Sequence, residues 1–136
     1  MKFLKKAQAG IEYMIIISFV TLAIIGVLIL ANFYSGLIVD KIKLNQAETF
    51  SIQIINQAES VFFSGEPSEA TIRLYLPDGV QNMQINDNSI IMTISTSTGE
   101  NLRSFTSRVP LQGNLSVSRG IHTISIQAKN DYVLIS

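Results

Sequence analysis

The hydrophobic pattern begins with a long apolar stretch near the start of the chain. Between Ile11 and Phe33 the only ionisable side chains are Glu12 and Tyr13. At a rise of ~1.5 Å per residue, a helix over this stretch is about 34 Å long, slightly more than the ~30 Å hydrocarbon core of a bilayer. The pattern therefore predicts a membrane-spanning helix over residues 11–33.

Beyond this stretch the helical period continues, but the apolar residues occupy only one face. They recur at steps of three, four or seven, which predicts a buried stripe: Leu37, Leu44, Ala47, Ile54, Ala58 and Val61. Another face is polar: Asp40, Lys43, Gln46, Thr49, Gln53, Gln57 and Ser60. Gly65 suits a left-handed cap and Pro67 cannot continue a helix. We therefore predict one helix over residues 8–63.

From Ala70 onward the apolar residues alternate with polar ones, which is typical of β-strands. Turn-forming Pro, Gly, Asn and Asp residues separate the predicted strands: 70–76, 80–85, 89–95, 102–109, 115–118, 121–128 and 132–135. So many short strands indicate a mostly antiparallel meander or small sandwich. Because a small sheet must bury its apolar face and the helix offers an apolar stripe, we predict an α+β fold with a β head over residues 68–136.

The residues before the apolar stretch are basic. Residues 1–7 carry three lysines and no acid. Lysines that flank a spanning helix stay in the cytoplasm, which predicts that the head lies outside it. A secretory signal has an apolar core of about 7 to 15 residues with its small-residue cleavage site after the core. In this chain the small residue, Ala7, precedes a longer core, so the segment is not an ordinary secretory signal.

Composition narrows the chemistry that the chain can perform. It has a net charge of +0, no cysteine and one histidine. Disulfides, zinc–thiolate and iron–sulfur sites, a cysteine nucleophile and a His-rich metal site are therefore excluded. Without a basic excess the chain has no basis for binding nucleic acid. Phosphate-loop, dinucleotide and zinc-protease motifs are absent, so we predict no enzymatic activity, cofactor or metal.

The polar residues of the predicted head have structural explanations. His122 shares a strand with Ile124 and Ile126, where packing explains it better than catalysis. Acids that could pair for hydrolysis or bind calcium lie in predicted turns, where turn formation accounts for them: Asp78, Asp87 and Glu100. The triplet Asn114-Leu115-Ser116 matches the acceptor pattern for N-glycosylation, so Asn114 is a candidate modification site.

Glu12 is the unusual residue of the apolar stretch. A carboxylate at full depth in a membrane costs about 2.5 kcal/mol or more unless it is protonated or paired. Two interpretations of Glu12 remain open. Glu12 is either a shallow acid at the membrane interface or one partner of an ion pair within an assembly.

The residues around Glu12 resemble a known processing signal. The segment Lys5-Lys6-Ala7-Gln8-Ala9-Gly10-Ile11-Glu12-Tyr13 is similar to the class III signal peptide of archaeal type IV pilins. The resemblance implies that a membrane prepilin peptidase cuts between Ala7 and Gln8 on the cytoplasmic side, next to the leader charges of Lys5 and Lys6. It also implies that Glu12 pairs with a neighbouring subunit's terminal amine and sets the axial register of a polymer. Gly10 departs from the pattern, since the family often has serine there.

The same resemblance implies the lollipop architecture of type IV pilins and a structural role. The expected protein lies in the cell membrane first and then polymerises with copies of itself into an extracellular filament for adhesion or attachment. An assembly ATPase and a membrane platform protein are the implied partners. Small residues permit close helix approach, and the candidates are Gly10, Ala23 and Gly26.

Two alternatives to a major pilin remain open. One is a minor pilin-like subunit of a secretion or adhesion machine, which would share all of this chemistry. The other is an uncleaved single-pass membrane protein with a β-type ligand-binding ectodomain. The short Flp-type bacterial pilins also carry a similar Glu-Tyr pair, but they are little more than the helix.

Cleavage between Ala7 and Gln8 is testable by intact mass and N-terminal fragmentation of the membrane-extracted protein. We expect a chain that starts at Gln8, with or without the loss of one ammonia through cyclisation. Removal of three lysines leaves seven basic against ten acidic side chains, so the product should also be mildly acidic. A bulky replacement of Ala7 should block the cut. A native chain that retains its lysines would instead favour the anchored ectodomain.

Overall fold

The computed structural model describes residues 1–136, which form two compact units, residues 1–38 and residues 39–136. One helix and seven strands follow in chain order: α1 Lys2–Ser64, β1 Glu69–Leu76, β2 Val80–Asn86, β3 Ser89–Thr96, β4 Gly99–Thr106, β5 Leu111–Gly113, β6 Gly120–Ala128 and β7 Val133–Ile135. The helix packs on small, mainly antiparallel sheets, which confirms the predicted α+β class. Its N-terminal boundary differs from the prediction, because the helix begins at Lys2 rather than at residue 8.

The unit formed by residues 1–38 consists of helix alone, and its side chains are exposed. Its apolar stretch is long and apolar enough to cross a membrane, and none of the most apolar 18-residue window is buried. Three polar side chains in this stretch donate hydrogen bonds to the carbonyl four residues earlier: Ser18 to Met14, Thr21 to Ile17 and Asn32 to Leu28. Such back-bonding satisfies donors that would otherwise be costly in lipid.

The helix ends where its sequence predicts. Gly65 adopts a left-handed backbone with φ of 80° and donates its N–H to the Phe62 carbonyl. Ser68 then donates to the Gly65 carbonyl at 2.9 Å and closes the turn. Glycine accepts this backbone conformation without steric cost, so the chain can reverse directly into β1.

From here on, the head means the compact unit of residues 39–136, which includes the second part of α1. One face of α1 supplies the centre of its core. Its buried residues are Ala47, Phe50, Ser51, Ile54, Ile55, Ala58 and Val61. Four of these belong to the predicted stripe, whereas Leu44 is only partly buried and Leu37 is exposed. The stripe is wider than predicted because two sheets cover the helix, and these bring Phe50 and Ile55 into the core beside it.

The four-stranded sheet has the order β1-β6-β7-β5. Its first two pairings are antiparallel, with Ile72 opposite Ile124 and Ile126 opposite Ile135. Ile124, Ile126 and Ile135 are each at most 2% exposed, as expected for the face that packs on the helix, whereas Ile72 on the outermost strand is only partly buried. The parallel pairing of β5 with β7 is the exception to the predicted antiparallel arrangement.

The three-stranded sheet has the order β2-β3-β4, and all its pairings are antiparallel. The middle strand alternates as predicted, with Ile90, Met92 and Ile94 each 0% exposed. Leu111 donates its backbone N–H to the Asp87 carbonyl at 2.6 Å, which links β5 to the turn after β2. The two sheets therefore share one core with α1.

The predicted strand over residues 115–118 is wrong. The strand in this part of the chain is β5, four residues earlier, and residues 114–118 are irregular. Alternation of Leu115 and Val117 with serines imitated a strand, but Leu115 anchors a loop in the core instead. The predicted strand 102–109 is also shifted, because β4 covers Gly99–Thr106.

Gly113 explains why β5 lies where it does. A Cβ at this position would lie 1.8 Å from the Ile135 carbonyl oxygen, and the backbone has a φ of 139°. Only glycine permits the backbones of β5 and β7 to approach so closely.

The core face of α1 can be tested with two isoleucines that lie two positions apart. Ile54 is 0% exposed and Ile52 is 41% exposed. Replacing buried Ile54 with Ala should lower the free energy of unfolding of the head by about 2–5 kcal/mol, because it removes core contacts and leaves a cavity. The matched Ile52→Ala variant should cost less than about 1 kcal/mol. Urea unfolding in detergent measures both, and equal losses would contradict this assignment of the helix face.

Candidate assembly surface

The residues of the predicted cleavage site lie on the exposed surface of α1. Ala7 and Gln8 are helical and exposed, as are the leader lysines Lys5 and Lys6. A peptidase that binds an extended substrate would have to unwind the first turns of this helix. The cut itself remains a prediction.

Glu12 has one hydrogen-bonding partner within the chain. Its carboxylate accepts a hydrogen bond of 3.3 Å from the side-chain amide of Gln8, one helical turn earlier. This donor is neutral, so it leaves the charge of Glu12 without a cationic partner in this bond. The arrangement also places the side chain of Glu12 next to the residue whose amine the predicted cut would release.

The small residues singled out for helix packing lie in open space. A Cβ at Gly10 or Gly26 would meet no heavy atom within 4 Å outside the helix's own nearby backbone. Ala23 borders a shallow apolar groove of about 260 Å³ that Ile24, Val27 and Leu28 also line. Small residues leave depressions in the surface of an apolar helix, and a second helix can approach closely at such positions.

The head carries a second exposed helix face, here called the outer stripe. It follows α1 at alternating steps of three and four, with one step of seven: Ile42, Asn45, Thr49, Ile52, Asn56 and Phe63. All six side chains are exposed, and Phe63 is 71% exposed. This spacing is the one by which helices pack side by side in coiled coils and bundles. The outer stripe lies on the face of α1 opposite the buried residues Ala47, Ile54 and Ala58.

A polar contact ties the β3–β4 turn to the helix. The backbone N–H of Ser97 donates to the Asp40 carboxylate at 2.9 Å, and the Ser97 hydroxyl donates to the same oxygen. These two hydrogen bonds lower the pKa of Asp40, with a smaller contribution from the charge of Lys43. Hydrogen bonds to a carboxylate favour its charged form. We call this pair the Asp40–Ser97 contact.

A similar contact lies at the other end of the head. The backbone N–H of Arg108, just beyond β4, donates to the Glu59 carboxylate at 2.9 Å. Asp40 and Glu59 together fix the two ends of β4 along α1. Sequence reasoning missed both contacts, since their partners are 57 and 49 residues apart and no local pattern links them.

The other candidate residues of the head lie apart from one another. His122 is half-buried, its ring stands edge-on to Phe50 at 6.1 Å, and its Nε2 lies 2.6 Å from the Ser118 carbonyl oxygen. Asp78 and Asp87 lie in the turns after β1 and β2, whereas Glu100 lies in β4 and not in the predicted turn, because the strand begins at Gly99. No group of three His, Cys, Asp or Glu side chains is placed to hold a metal ion. Asn114 is exposed on the irregular segment after β5, so its glycosylation stays a prediction.

Comparison with known proteins adds no relative to this picture. No protein-family model, curated protein or solved structure matches the chain.

The Asp40–Ser97 contact makes the head sensitive to acid. Since the folded state lowers the pKa of Asp40, its stabilising effect is complete above the ordinary carboxyl value of 3.8 and is lost as the pH falls through the lower folded value. Glu69, whose pKa is lowered by hydrogen bonds from Gln127 and Ser125, acts in the same direction. We therefore expect the midpoint temperature of thermal unfolding of the head to decrease when the pH is lowered below about 4.

The variant Asp40→Asn isolates the contribution of Asp40 to this pH dependence. It should be less stable than the parent chain at neutral pH and should lose less stability on acidification. Thermal melts followed by circular dichroism across this pH range measure the difference. An identical pH profile for parent and variant would show that the Asp40–Ser97 contact does not stabilise the fold.

Proposed function

We propose that this chain is a structural pilin subunit that a prepilin peptidase trims between Ala7 and Gln8. The trimmed protein polymerises through α1 into a type IV-like surface filament that serves adhesion or attachment. It lies in the cell membrane before assembly, with its head outside the cytoplasm. An assembly ATPase and a membrane platform protein supply the work of extraction from the bilayer.

The observation that carries this proposal is the exposed apolar surface of residues 11–33. An apolar helix surface of this size needs lipid or protein around it, because monomeric soluble proteins rarely expose large apolar patches. Transfer from lipid into a helix bundle replaces one apolar environment with another, so packing and polar pairing must drive it. Gly26 and the groove beside Ala23 offer sites for this packing.

Glu12 provides the polar pairing in this proposal. Its carboxylate has only the neutral Gln8 amide as a hydrogen-bonding partner within the chain. A neighbouring subunit's terminal amine would supply the missing positive charge once cleavage has released it at Gln8. A subunit in the wrong axial position would leave the carboxylate unpaired at a high cost in a medium of low dielectric constant. The pair therefore selects the register of the filament.

The outer stripe extends the helix contact into the head. It carries two isoleucines, two asparagines, Thr49 and Phe63, and all of these side chains are exposed. In the filament this face would lie against the helices of neighbouring subunits. Asparagine on a helix seam favours one register at a cost in stability, as it does in coiled coils.

The proposal predicts that the Glu12→Ala variant is processed but assembles poorly. Loss of the carboxylate removes the register-selecting pair without altering the residues on either side of the cut. Mass spectrometry should therefore find the chain starting at Gln8, while electron microscopy of the sheared cell-surface fraction should find few or no filaments. The matched control is Glu48→Ala, which removes an exposed acid from the part of α1 in the head and should assemble normally.

Normal filaments from Glu12→Ala would disprove the role of Glu12 but leave a pilin function standing. Absence of filaments from cells that make the parent chain in quantity, together with an uncut N-terminus, would disprove the proposed function.

A further inference from the structure

The two sheets of the head have four edge strands, β1 and β5 in one sheet and β2 and β4 in the other. β5 and β2 lie next to each other, and Leu111 donates its N–H to the Asp87 carbonyl there. β1 and β4 are the longest edge strands, with eight residues each. Long unpaired edges are unusual in stable proteins, because their free N–H and C=O groups can pair with another chain. These two edges therefore need a structural explanation.

The alternation of hydrogen bonds between β1 and β6 shows which backbone N–H and C=O groups of β1 are unpaired. Ser68 accepts a hydrogen bond from the Ala128 N–H at 2.9 Å, and Glu69 lies opposite Gln127. Bonds from β1 to β6 therefore fall on its even-numbered residues. The backbone groups of the odd-numbered residues point away from β6: Glu69, Thr71, Arg73 and Tyr75.

The same reasoning applies to β4. Ser107 donates its N–H to the Asn88 carbonyl at 2.7 Å, and Thr106 lies opposite Ser89. Bonds from β4 to β3 therefore fall on its odd-numbered residues. The backbone groups that point outward belong to Glu100, Leu102, Ser104 and Thr106. Leu102 is 71% exposed, which is high for a leucine on a strand that borders a core.

The two edges lie on opposite sides of α1. One groove, of about 440 Å³, separates β1 from the helix and is lined by Thr49, Gln53 and Tyr75 among others. A second groove, of about 430 Å³, separates β4 from the helix and is lined by Ile52, Asn56 and Ser104 among others. The outer stripe lies between these grooves. Each head therefore presents one free edge to its left and one to its right.

The two edges run in opposite directions along α1. β1 leaves the turn at the end of the helix and returns beside residues 42–53, so it runs against the helix. β4 starts beside Asp40, which holds Ser97, and ends beside Glu59, which holds Arg108, so it runs with the helix. Subunits of a filament share one axial direction. The β1 edge of one copy and the β4 edge of its neighbour are thus oriented for antiparallel pairing.

We propose that the head of a second copy of this chain occupies the β1 edge, and that its β4 strand pairs with β1 to continue the sheet from subunit to subunit. This inference rests on the proposed function, because it takes the filament as the setting in which copies align. A contact between two different surfaces of one chain does not close on itself and so generates an open polymer. Strand addition of this kind supplies affinity through backbone hydrogen bonds.

The charges of the two edges fix the register. With Arg73 opposite Glu100 of the second copy, a basic and an acidic side chain face each other. In this register Thr71 lies opposite Leu102, and Glu69 lies opposite Ser104. No like charges are directly opposed, and opposite charges across antiparallel strands stabilise the pairing.

The closing experiment exploits the absence of cysteine from the chain. In the double variant Thr71→Cys and Leu102→Cys, directly opposed Cα atoms would lie about 5.5 Å apart, within the range that a disulfide bridges. Filaments sheared from cells that express this full chain are oxidised mildly and separated on a non-reducing gel. We expect a ladder that extends beyond the dimer and collapses to the monomer on reduction.

Matched variants control for chance encounters of thiols. Each single cysteine should give no disulfide-linked dimer, since neither edge is proposed to meet itself. The double variant Asn82→Cys and Leu102→Cys carries the same number of thiols, with one of them on β2, at the opposite side of the three-stranded sheet from β4, and it should also give no ladder. A ladder from the Asn82 variant as strong as that from the Thr71 variant would overturn the proposal.

A charge exchange decides the question if the cysteine variants fail to assemble. Arg73→Glu opposes two acids and should lower filament yield about two- to fivefold. Adding Glu100→Arg to it restores opposite charges and should restore the yield, whereas no recovery would overturn the register. Filaments that form without the cysteine ladder would overturn edge pairing and leave the pilin function standing. A parent chain that forms no filament would overturn edge pairing, and one that also keeps its N-terminus uncut would overturn the proposed function as well.

Discussion

Burial of one face of α1 between two small sheets is the constraint on which the head depends. Neither sheet could bury its inner face alone, since one has three strands and the other has two strands of only three residues. Ala47, Ile54 and Ala58 lie at the centre of the contact and are each 0% exposed. Alanines at two of these positions let the strands approach the helix closely, and the isoleucine fills the space between them. The polar contacts at Asp40 and Glu59 then fix the strands along the helix axis.

This constraint divides α1 in the head into faces with different roles. The inner face belongs to the core, and the outer stripe is exposed to solvent. Strands with free edges border the helix on either side. In the proposed filament the outer stripe and the two free edges would each contact another copy. The fold of one subunit would therefore determine the positions of its neighbours. The apolar helix of residues 11–33 differs from the head, because in the proposal lipid covers it before assembly and neighbouring helices cover it afterwards.

The sequence predicted the elements whose pattern is local and strong. The end of α1 followed from Gly65 and Pro67, and the period-two strands β1, β3 and β6 followed from their alternating isoleucines and leucines. Leu115 and Val117 misled because their alternation with serine has the strand period without a strand partner. β5 escaped notice because three residues carry too little pattern, and its position is set by the approach of Gly113 to Ile135.

The candidate sites divide in the same way. The sequence alone identified Glu12, Gly26 and the small residue before the predicted cut. A charged or very small residue within or beside an apolar stretch is visible without a structure. The partners of Asp40 and Glu59 were not, because they come from distant segments that only the fold brings together. The free edges of β1 and β4 were equally hidden, since strand order cannot be read from strand pattern. The period of the outer stripe was present in the sequence but was masked by the stronger buried stripe.

The central position of β7 in the four-stranded sheet has a consequence for how the head is made. A ribosome releases α1 and β1 before the other elements, yet β1 pairs with β6, and β6 and β5 both pair with β7, which follows all of them in the chain. Pairings between such distant segments form slowly, because the intervening chain must lose entropy before it gains contacts. Until then the apolar inner face of α1 stays exposed. A nascent chain is therefore most prone to misassociation after α1 has been synthesised and before β7 has been.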